Sequence, residues 1–341
     1  MIFLPARFQR YLAFLSKAFP WMLVFLAFLG IIAAPWGLEC SFIERLTHVR
    51  FYWIGGLTVL LLWWICKKAW LPALLVLGLL VAAMPAVWRY YRPVAPLTTS
   101  GAALPTFRVA TWNVHSSNPE RERGVAWLTS LEVDVLLLTE VNPGWVKTLK
   151  KAASRWPHQI CEPRGGAAGI WLLSRWPLVE MEAAGIAPEE TRPWIGCRVQ
   201  SPQGKVAIMG MHPRTPRGGH RFVERNLQLE RAAEFSAAAA LRGEPVVLMG
   251  DLNCTPFSPW FDRLLTRGLL RDSAVGLSLK PTWSSGPWWL PLDHILLGGK
   301  WEVRERRVYE DRLGSDHFPV MATLGFSEIP GRTREKYSTN L

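Results

Sequence analysis

Hydrophobic positions are arranged in two different ways along this chain. As far as residue 88 they form long unbroken runs: residues 18–38 carry no charge over 21 positions, 51–66 over 16 and 69–88 over 20. A helix that crosses the hydrocarbon core takes roughly 17–25 apolar residues, so 18–38 and 69–88 predict transmembrane helices directly. The middle run is short, but Arg50, Lys67 and Lys68 flank it and can snorkel to the interfaces. Trp21, Trp36, Trp63, Trp64, Trp88, Tyr90 and Tyr91 sit near span ends, where amphipathic rings favour the headgroup layer. Residues 1–92 therefore read as an anchor of three transmembrane helices. A signal sequence for the first run and buried core helices for the others are the alternatives.

Residues 93–106 are rich in Pro, Ser, Thr, Ala and Gly and read as a linker. From Phe107 onward the runs shorten. FRVATWNV, VDVLLLTE, AGIWLLS, KVAIMGMH, EPVVLMGD and PLDHILL predict strands, most of them apolar at nearly every position, as strands buried on both faces are. Helical patterns lie around 120–131, 143–155 and 221–241. Two packed sheets with helices outside accommodate this order. Residues 327–341 are polar and read as a loose tail.

Half of the 341 residues are hydrophobic, and the net charge is +12. Residues 1–100 hold nine Lys/Arg and two Asp/Glu, so +7 belongs to the anchor region and +5 to the rest. A mildly basic domain beside a membrane suits an anionic substrate or lipid surface. With the amino terminus inside, five basic residues (Arg7, Arg10, Lys17, Lys67, Lys68) face four (Arg45, Arg50, Arg89, Arg92) across the membrane. That bias and an odd number of spans place everything after Arg89 on the outer, periplasmic face of an inner membrane. Five cysteines without CxxC spacing exclude a zinc ribbon. In an extracytoplasmic domain Cys161 and Cys197 become candidates for a disulfide.

Polar residues close the apolar strands at repeated positions: Asn113 in ATWNVH, Glu140 in VLLLTE, His212 in MGMHP, Asp251 and Asn253 in MGDLN. Asp293 lies in LDHILL, and Asp316 with His317 in GSDHFPV. Strand ends are where sheets expose catalytic groups, although each residue alone is more often a turn or cap residue. As a set they combine carboxylates and amides for a hard divalent cation with histidines that move protons. Oxygen donors select Mg²⁺ or Mn²⁺ over zinc. No G-x-S-x-G elbow is present, which speaks against a serine nucleophile.

NV, LLLTE, LLSRWP, GDLN, LDH and SDH, in this order, resemble the endonuclease/exonuclease/phosphatase superfamily over residues 107–326. GDxN followed at this distance by SDH is the specific part. The resemblance implies an α/β, four-layer sandwich with two central mixed β-sheets. It also implies metal-dependent hydrolysis of phosphate esters. By the same resemblance Glu140 is the principal metal ligand, with Asn113 beside it and Asp316 assisting. Asp251 positions or deprotonates the attacking water, and Asn253 contacts phosphate. His317 faces the scissile phosphate with Asp293 orienting it, and His212 contacts phosphate oxygens. Some apurinic-type nucleases carry an acid two positions after the strand-end asparagine, where this chain has His115. His115 reads either as a partly buried strand residue or as a substrate contact.

Two further features have double readings. Arg214, Arg217, His220, Arg221 and Arg225 either grip an anionic headgroup or form a solvated face. Trp283, Trp288 and Trp289 form a substrate wall, touch a bilayer interface or, for Trp283 above all, pack in the core. The leading expectation is a membrane-anchored phosphoesterase whose partners are an anionic phosphate ester and membrane lipids. A nuclease on DNA or RNA is the alternative, weakened by the lack of a long basic, aromatic-interleaved insertion. A non-catalytic binding module has no chemical need for all of Glu140, Asp251, Asn253, Asp316 and His317.

Overall fold

The computed structural model describes residues 6–93, 106–183, 192–299 and 301–326. The expected linker, but for its two end residues, and the expected tail lie outside the described residues. The chain forms two compact units, Met1–Arg89 with Pro256–Trp260, and Tyr90–Thr255 with Phe261–Leu341.

The first unit is helical: α1 (Ala6–Ile31), α2 (Ser41–His48), α3 (Arg50–Cys66) and α4 (Trp70–Trp88). Its interior is narrow, built from Ala27, Leu57, Leu60, Trp64, Ala73, Val76 and Ala83. Polar groups share it. Glu44 and Thr47 are fully buried, Arg50 reaches the Gly30 carbonyl at 3.4 Å, and Trp53 Nε1–H donates to Leu46 O at 2.7 Å. The three expected spans are corrected here. Residues 18–38 do not run as one helix: α1 stops at Ile31, and Pro35 and Gly37 sit in a separate 3₁₀ turn, Ala34–Leu38. Proline removes a helical donor and glycine adds backbone freedom, so the apolar run breaks there. Among the described residues only α4 is by itself long and apolar enough to cross a membrane. α2 and α3 qualify only as a pair, bent by 72° at Val49.

The second unit holds two six-stranded sheets. The strands of the first are β1 (Thr106–Asn113), β2 (Val135–Thr139), β3 (His158–Glu162), β4 (Ile170–Ser174), and, late in the chain, Trp301–Val308 and Val320–Phe326. The second contains β5 (Leu178–Ala183), β6 (Trp194–Ser201), β7 (Gly204–Met211), β8 (Val246–Asp251), β9 (Leu270–Asp272) and Asp293–Gly298. A hairpin of β10 (Trp283–Ser285) and β11 (Trp288–Leu290) stands apart. Asp293–Gly298 is thus β12, Trp301–Val308 β13 and Val320–Phe326 β14. The orders are β13-β14-β1-β2-β4-β3 and β5-β6-β7-β8-β12-β9. Only β1 with β2 and β7 with β8 run parallel, so both sheets are mixed.

Alternation explains why these strands read as continuous apolar runs. On β2, Val135 and Leu137 face the second sheet, in a core with Val109, Ile208, Val247, Met249 and Ile295. Leu136 and Leu138 face the other way, against α5 (Arg121–Ser130) and α6 (Pro143–Ala153), where Trp112, Trp127, Trp145 and Trp156 gather. Each fully buried leucine contributes roughly 1.5–3 kcal/mol. α7 (Gly219–Leu241) lies on β7 and β8 with Phe222, Leu229, Ala232 and Phe235 inward, and α8 (Pro259–Gly268) follows β8. Helices, sheet, sheet, helix: these are the four layers expected. The six strands predicted are all present, as are the three helical stretches.

Cys161 lies on β3 on the helix-covered side of the first sheet, whereas Cys197 on β6 lies between the sheets. All five cysteines are free. The expected Cys161–Cys197 pairing is therefore corrected: the two residues occupy different sheets and different cores. Burial pushes the Cys161 thiol up to about 11 and the Cys197 thiol to about 12, so both stay protonated at neutral pH.

Candidate active site

The predicted residues meet at one edge of the paired sheets. β1 and β2 run parallel, with Asn113 opposite Thr139, so Asn113 and Glu140 leave the first sheet side by side. β8 delivers Asp251 from the second sheet. β12 runs antiparallel to β8 with Asp293 directly opposite Asp251, and therefore opens with its acid at the same edge. Chemistry thus enters at the start of β12 and ahead of β14 as well as at strand carboxyl ends.

Backbone geometry aims these side chains. Glu140 has φ 62°, Asn253 φ 46° and His115 φ 56°, left-handed conformations that non-glycine residues seldom adopt. Gly250 has φ 138°, and a Cβ there would stand 2.0 Å from Met211 O. Only glycine lets β7 and β8 approach this closely just before Asp251. Two residues after Glu140, Asn142 caps α6 by accepting Trp145 N–H at 3.0 Å, with Pro143 in the first turn.

Asn113 is the hub. Its Nδ2 donates to Glu140 Oε1 and to Asp251 Oδ2, both at 3.1 Å, and lies 3.4 Å from His317 Nε2. Its Oδ1 accepts His115 N–H at 3.0 Å and keeps a second lone pair. His317 Nδ1 is 2.8 Å from Asp293 Oδ2, and its Nε2 3.5 Å from Asp251 Oδ2. His212 Nε2 approaches the same Asp251 oxygen at 3.3 Å. Ser315 ties the loop to β1, donating to Asn113 O at 2.7 Å and accepting His317 N–H at 3.0 Å. Thr282 Oγ1 accepts Asp293 N–H at 2.8 Å.

The charges are strongly coupled. Burial alone would lower the His317 pKa, but Asp293 and Asp251 overcome it and raise it to about 10. Burial works to raise Asp251, yet His317 and His212 together hold it far below the usual carboxylate range. Asp293 is pushed up by burial, which its pairing with His317 offsets only in part. Asp251, Asp293 and His317 form the tightest group, with ligand atoms within 4.8 Å of one another. Within it His317 Nδ1 sits 2.8 Å from Asp293 Oδ2, and Nε2 3.5 Å from Asp251 Oδ2, so the imidazole stands between two carboxylates.

The remaining predicted residues stand around this hub. Asp316 accepts Trp283 Nε1–H at 2.9 Å, while its Oδ1 is shut from solvent without a hydrogen-bond partner. Asn253 turns its amide to the 213–215 loop, donating to Pro213 O at 3.0 Å and accepting from Thr215 at 3.1 Å. The basic stretch does not act as one patch. Arg225 is buried, Arg214 pairs with Glu224 at 3.7 Å, and His220 is exposed. Trp283, expected above all in the core, is half-buried at the site, whereas Trp288 and Trp289 are exposed.

Sequence reasoning missed Arg192. Its NH1 group lies 3.3 Å from His212 Nδ1. Burial lowers its pKa, with Glu140 and Asp251 pulling the other way. It stands in a loop with no periodicity, and TRPW contains no motif that would have singled it out.

This fold and this cluster of acids, amides and histidines agree with the comparison to known proteins. A profile of the Endonuclease/Exonuclease/phosphatase family matches residues 110–317. The chain belongs to that family, whose members hydrolyse phosphoester bonds and generally use divalent metals. An endonuclease/exonuclease/phosphatase from Beutenbergia cavernae DSM 12333 is similar at 21% identity and TM-score 0.51, over 66% of this chain and 73% of that one. D. rerio TDP2, solved in complex with a single strand DNA product, is similar at 19% identity and TM-score 0.54, over 64% and 99%. TDP2 from C. elegans gives 16% identity and TM-score 0.55, over 66% and 78%. At these identities the likeness is one of fold. No curated protein matches the chain.

Proposed function

We propose that the chain is a membrane-anchored, divalent-metal-dependent hydrolase of phosphodiester or phosphomonoester bonds, with lipid-linked phosphates as its first candidate substrates. The observation that carries this reading is the Asn113 amide within 3.4 Å of Glu140, Asp251 and His317 together. A cation fits the donor set. Buried oxygens of Asp293 and Asp316 have no hydrogen-bond partner, which is costly unless positive charge is near. Glu140, Asn113 and Asp316 would hold Mg²⁺ or Mn²⁺, hard ions that take oxygen donors. When bound, such an ion neutralises charge on the phosphate oxygens.

The chain's own residues supply the rest. Asp251, held ionised, accepts a hydrogen bond from the attacking water and aligns it. His317, held protonated, offers its Nε2 proton to the phosphate, and Asp293 fixes the imidazole. His212, Arg192 and Asn253 offer donors to the other phosphate oxygens.

The anchoring half of the reading is supported by the first unit, where Phe25, Trp36, Leu62, Leu71 and Val81 are exposed. α4 crosses the bilayer, and α1 and α3 pack with it. With α4 as the one crossing and the amino terminus inside, the hydrolase lies on the outer, periplasmic face of an inner membrane.

Glu140→Gln should fold normally but lose about 100- to 1,000-fold in activity on a panel of lipid, phosphodiester, phosphomonoester and DNA substrates. Excess Mn²⁺ should restore part of it. Undiminished wild-type turnover in chelator sinks the metal dependence, and turnover of DNA alone replaces the lipid reading by the nuclease one. For sidedness, a reporter fused after Leu341 should be active only outside the membrane, and cytoplasmic activity reverses the orientation.

A further inference from the structure

The histidine of LDHILL has no part in the chemistry proposed above. Asp293, Ile295 and Leu297 of β12 turn toward the space between the sheets, so alternation sends His294 to the opposite face. There it is buried, its ring 4.7 Å from the ring of Phe261 on α8. Its Nε2 lies 2.9 Å from Cys254 O. A carbonyl only accepts, so the partner itself fixes Nε2 as a nitrogen that carries hydrogen. Among the described residues Nδ1 makes no hydrogen bond, and Asp272 Oδ2 stands 3.8 Å from it.

Cys254 follows directly on Asn253. The turn that carries both is pinned at several points. Leu252 N–H donates to Leu292 O and Asn253 N–H to Asp251 Oδ1, each at 2.9 Å. Asn253 holds φ 46°, a conformation that persists only where the surroundings dictate it. Pro213 O and Thr215 hold its side-chain amide, and Arg225 NH1 reaches its carbonyl at 3.4 Å. His294 holds the next carbonyl along, by the shorter bond. Packing alone does not call for an imidazole at this position. Phenylalanine has a similar shape against Phe261 and buries no ring nitrogen, which costs free energy wherever it lacks a partner. The bond to the turn accounts for the polar ring.

Resting on the phosphoesterase reading above, we propose that His294 is a positioning residue: through the Cys254 carbonyl it sets the direction in which Asn253 meets the phosphate. It acts at one remove, from the face of β12 opposite to Asp293.

The test uses the full chain in detergent, with Mn²⁺ and the lipid, phosphodiester, phosphomonoester and DNA panel. His294→Phe keeps a ring against Phe261 and removes the donor, whereas His294→Gln returns an amide N–H near the place of Nε2. His294→Asn is polar but too short to reach Cys254 O. His294→Phe and His294→Asn should each lose about 10- to 100-fold in kcat, the scale on which a small misplacement of a catalytic group acts. His294→Gln should recover most of that loss. Added to Asn253→Ala, His294→Phe should cost little more, because the group it steers is gone. Amide hydrogen exchange at Asn253 should quicken in the Phe and Asn variants and not in Gln, with Val247 and Leu248 of β8 exchanging as in the wild type. Full activity in His294→Phe, a loss additive with that of Asn253→Ala, or equal losses in all three variants with a common fall in Tm overturns the positioning role and leaves the phosphoesterase reading standing. A wild type that turns over no member of the panel overturns that reading and the role of His294 with it.

Discussion

The helices of residues 6–88 and the sheets of residues 106–326 sort their side chains in opposite directions. In the helical unit Leu71 is 72% exposed and Phe25 59%, while Glu44 is fully buried. In the sheets Val109, Leu137 and Ile208 are fully buried, and charged groups enter the interior mainly where Asp251, Asp293 and His317 hold one another. Burial of apolar area is favourable only where the surroundings are water. The outward apolar side chains of the helical unit fit the anchoring proposed above, whereas the sheet unit buries its apolar side chains, with its largest polar exception at Asp251, Asp293 and His317. That exception is tolerated because each buried charge has an opposite partner within reach.

The sharpest way to break the contrast is at the polar exception. If Asp251 and His317 act as one device, Asp251→Asn and His317→Ala should each cost about 10³- to 10⁴-fold in kcat/KM, and the double variant little more than the worse single one. Additive losses, or losses explained by a matching drop in thermal stability, would show that these groups hold the fold. Asp293→Asn should cost less, since the imidazole remains.

Next in size is the test of the two interiors. Leu137→Ala empties space between the sheets and should destabilise the hydrolase domain by about 2–5 kcal/mol, read from denaturant midpoints. Leu71→Ser, on an outward position of α4, should leave that unfolding transition within about 0.5 kcal/mol of wild type. Its effect should fall on membrane retention after fractionation. Equal loss of domain stability from both changes means that the exposed face of α4 is a packed surface in the native protein.

The smallest effect is in pH. The folded-state pKa of His317 is raised, from about 6.5 to about 10, so its contribution to stability is complete below about 6.5. That contribution is lost as pH rises through about 10. Metal-free wild type should therefore lose a few degrees of Tm between pH 7 and 10 that His317→Ala does not lose. Parallel curves for the two proteins rule out the charge pairing described here.

The same contrast explains what could be read in advance. β2, β4, β7, β8 and β12 are apolar on both faces for most of their length, so a nearly continuous apolar run announced each one, and β1 reads the same way despite Arg108. β13 has WEVRERRV, charged at five of its eight positions, and is an edge strand, where charge guards against unwanted pairing. β6 hides for another reason: Arg198 is buried within it, 3.3 Å from Glu244, and interrupts the apolar pattern. At the site, Asn113, Glu140, Asp251, Asp293 and His317 were legible because each closes or opens a recognisable run. Arg192 and the bond from Trp283 to Asp316 come from loops and a short hairpin, where spacing along the chain says nothing about position in space. The break in α1 was written in Pro35 and Gly37, and the absence of charge around them concealed it.

The Ser116 N–H donates to Glu140 Oε2 at 3.1 Å, while the Ser116 carbonyl accepts Asn142 Nδ2–H at 2.8 Å. One peptide segment is thus clasped between the acid expected to hold an ion and the residue that caps α6. The nuclear magnetic resonance frequency and deuterium exchange of this single amide report directly on the electron density at the Glu140 carboxylate. Occupancy of the site can accordingly be followed spectroscopically in a protein whose natural substrate has yet to be supplied to it.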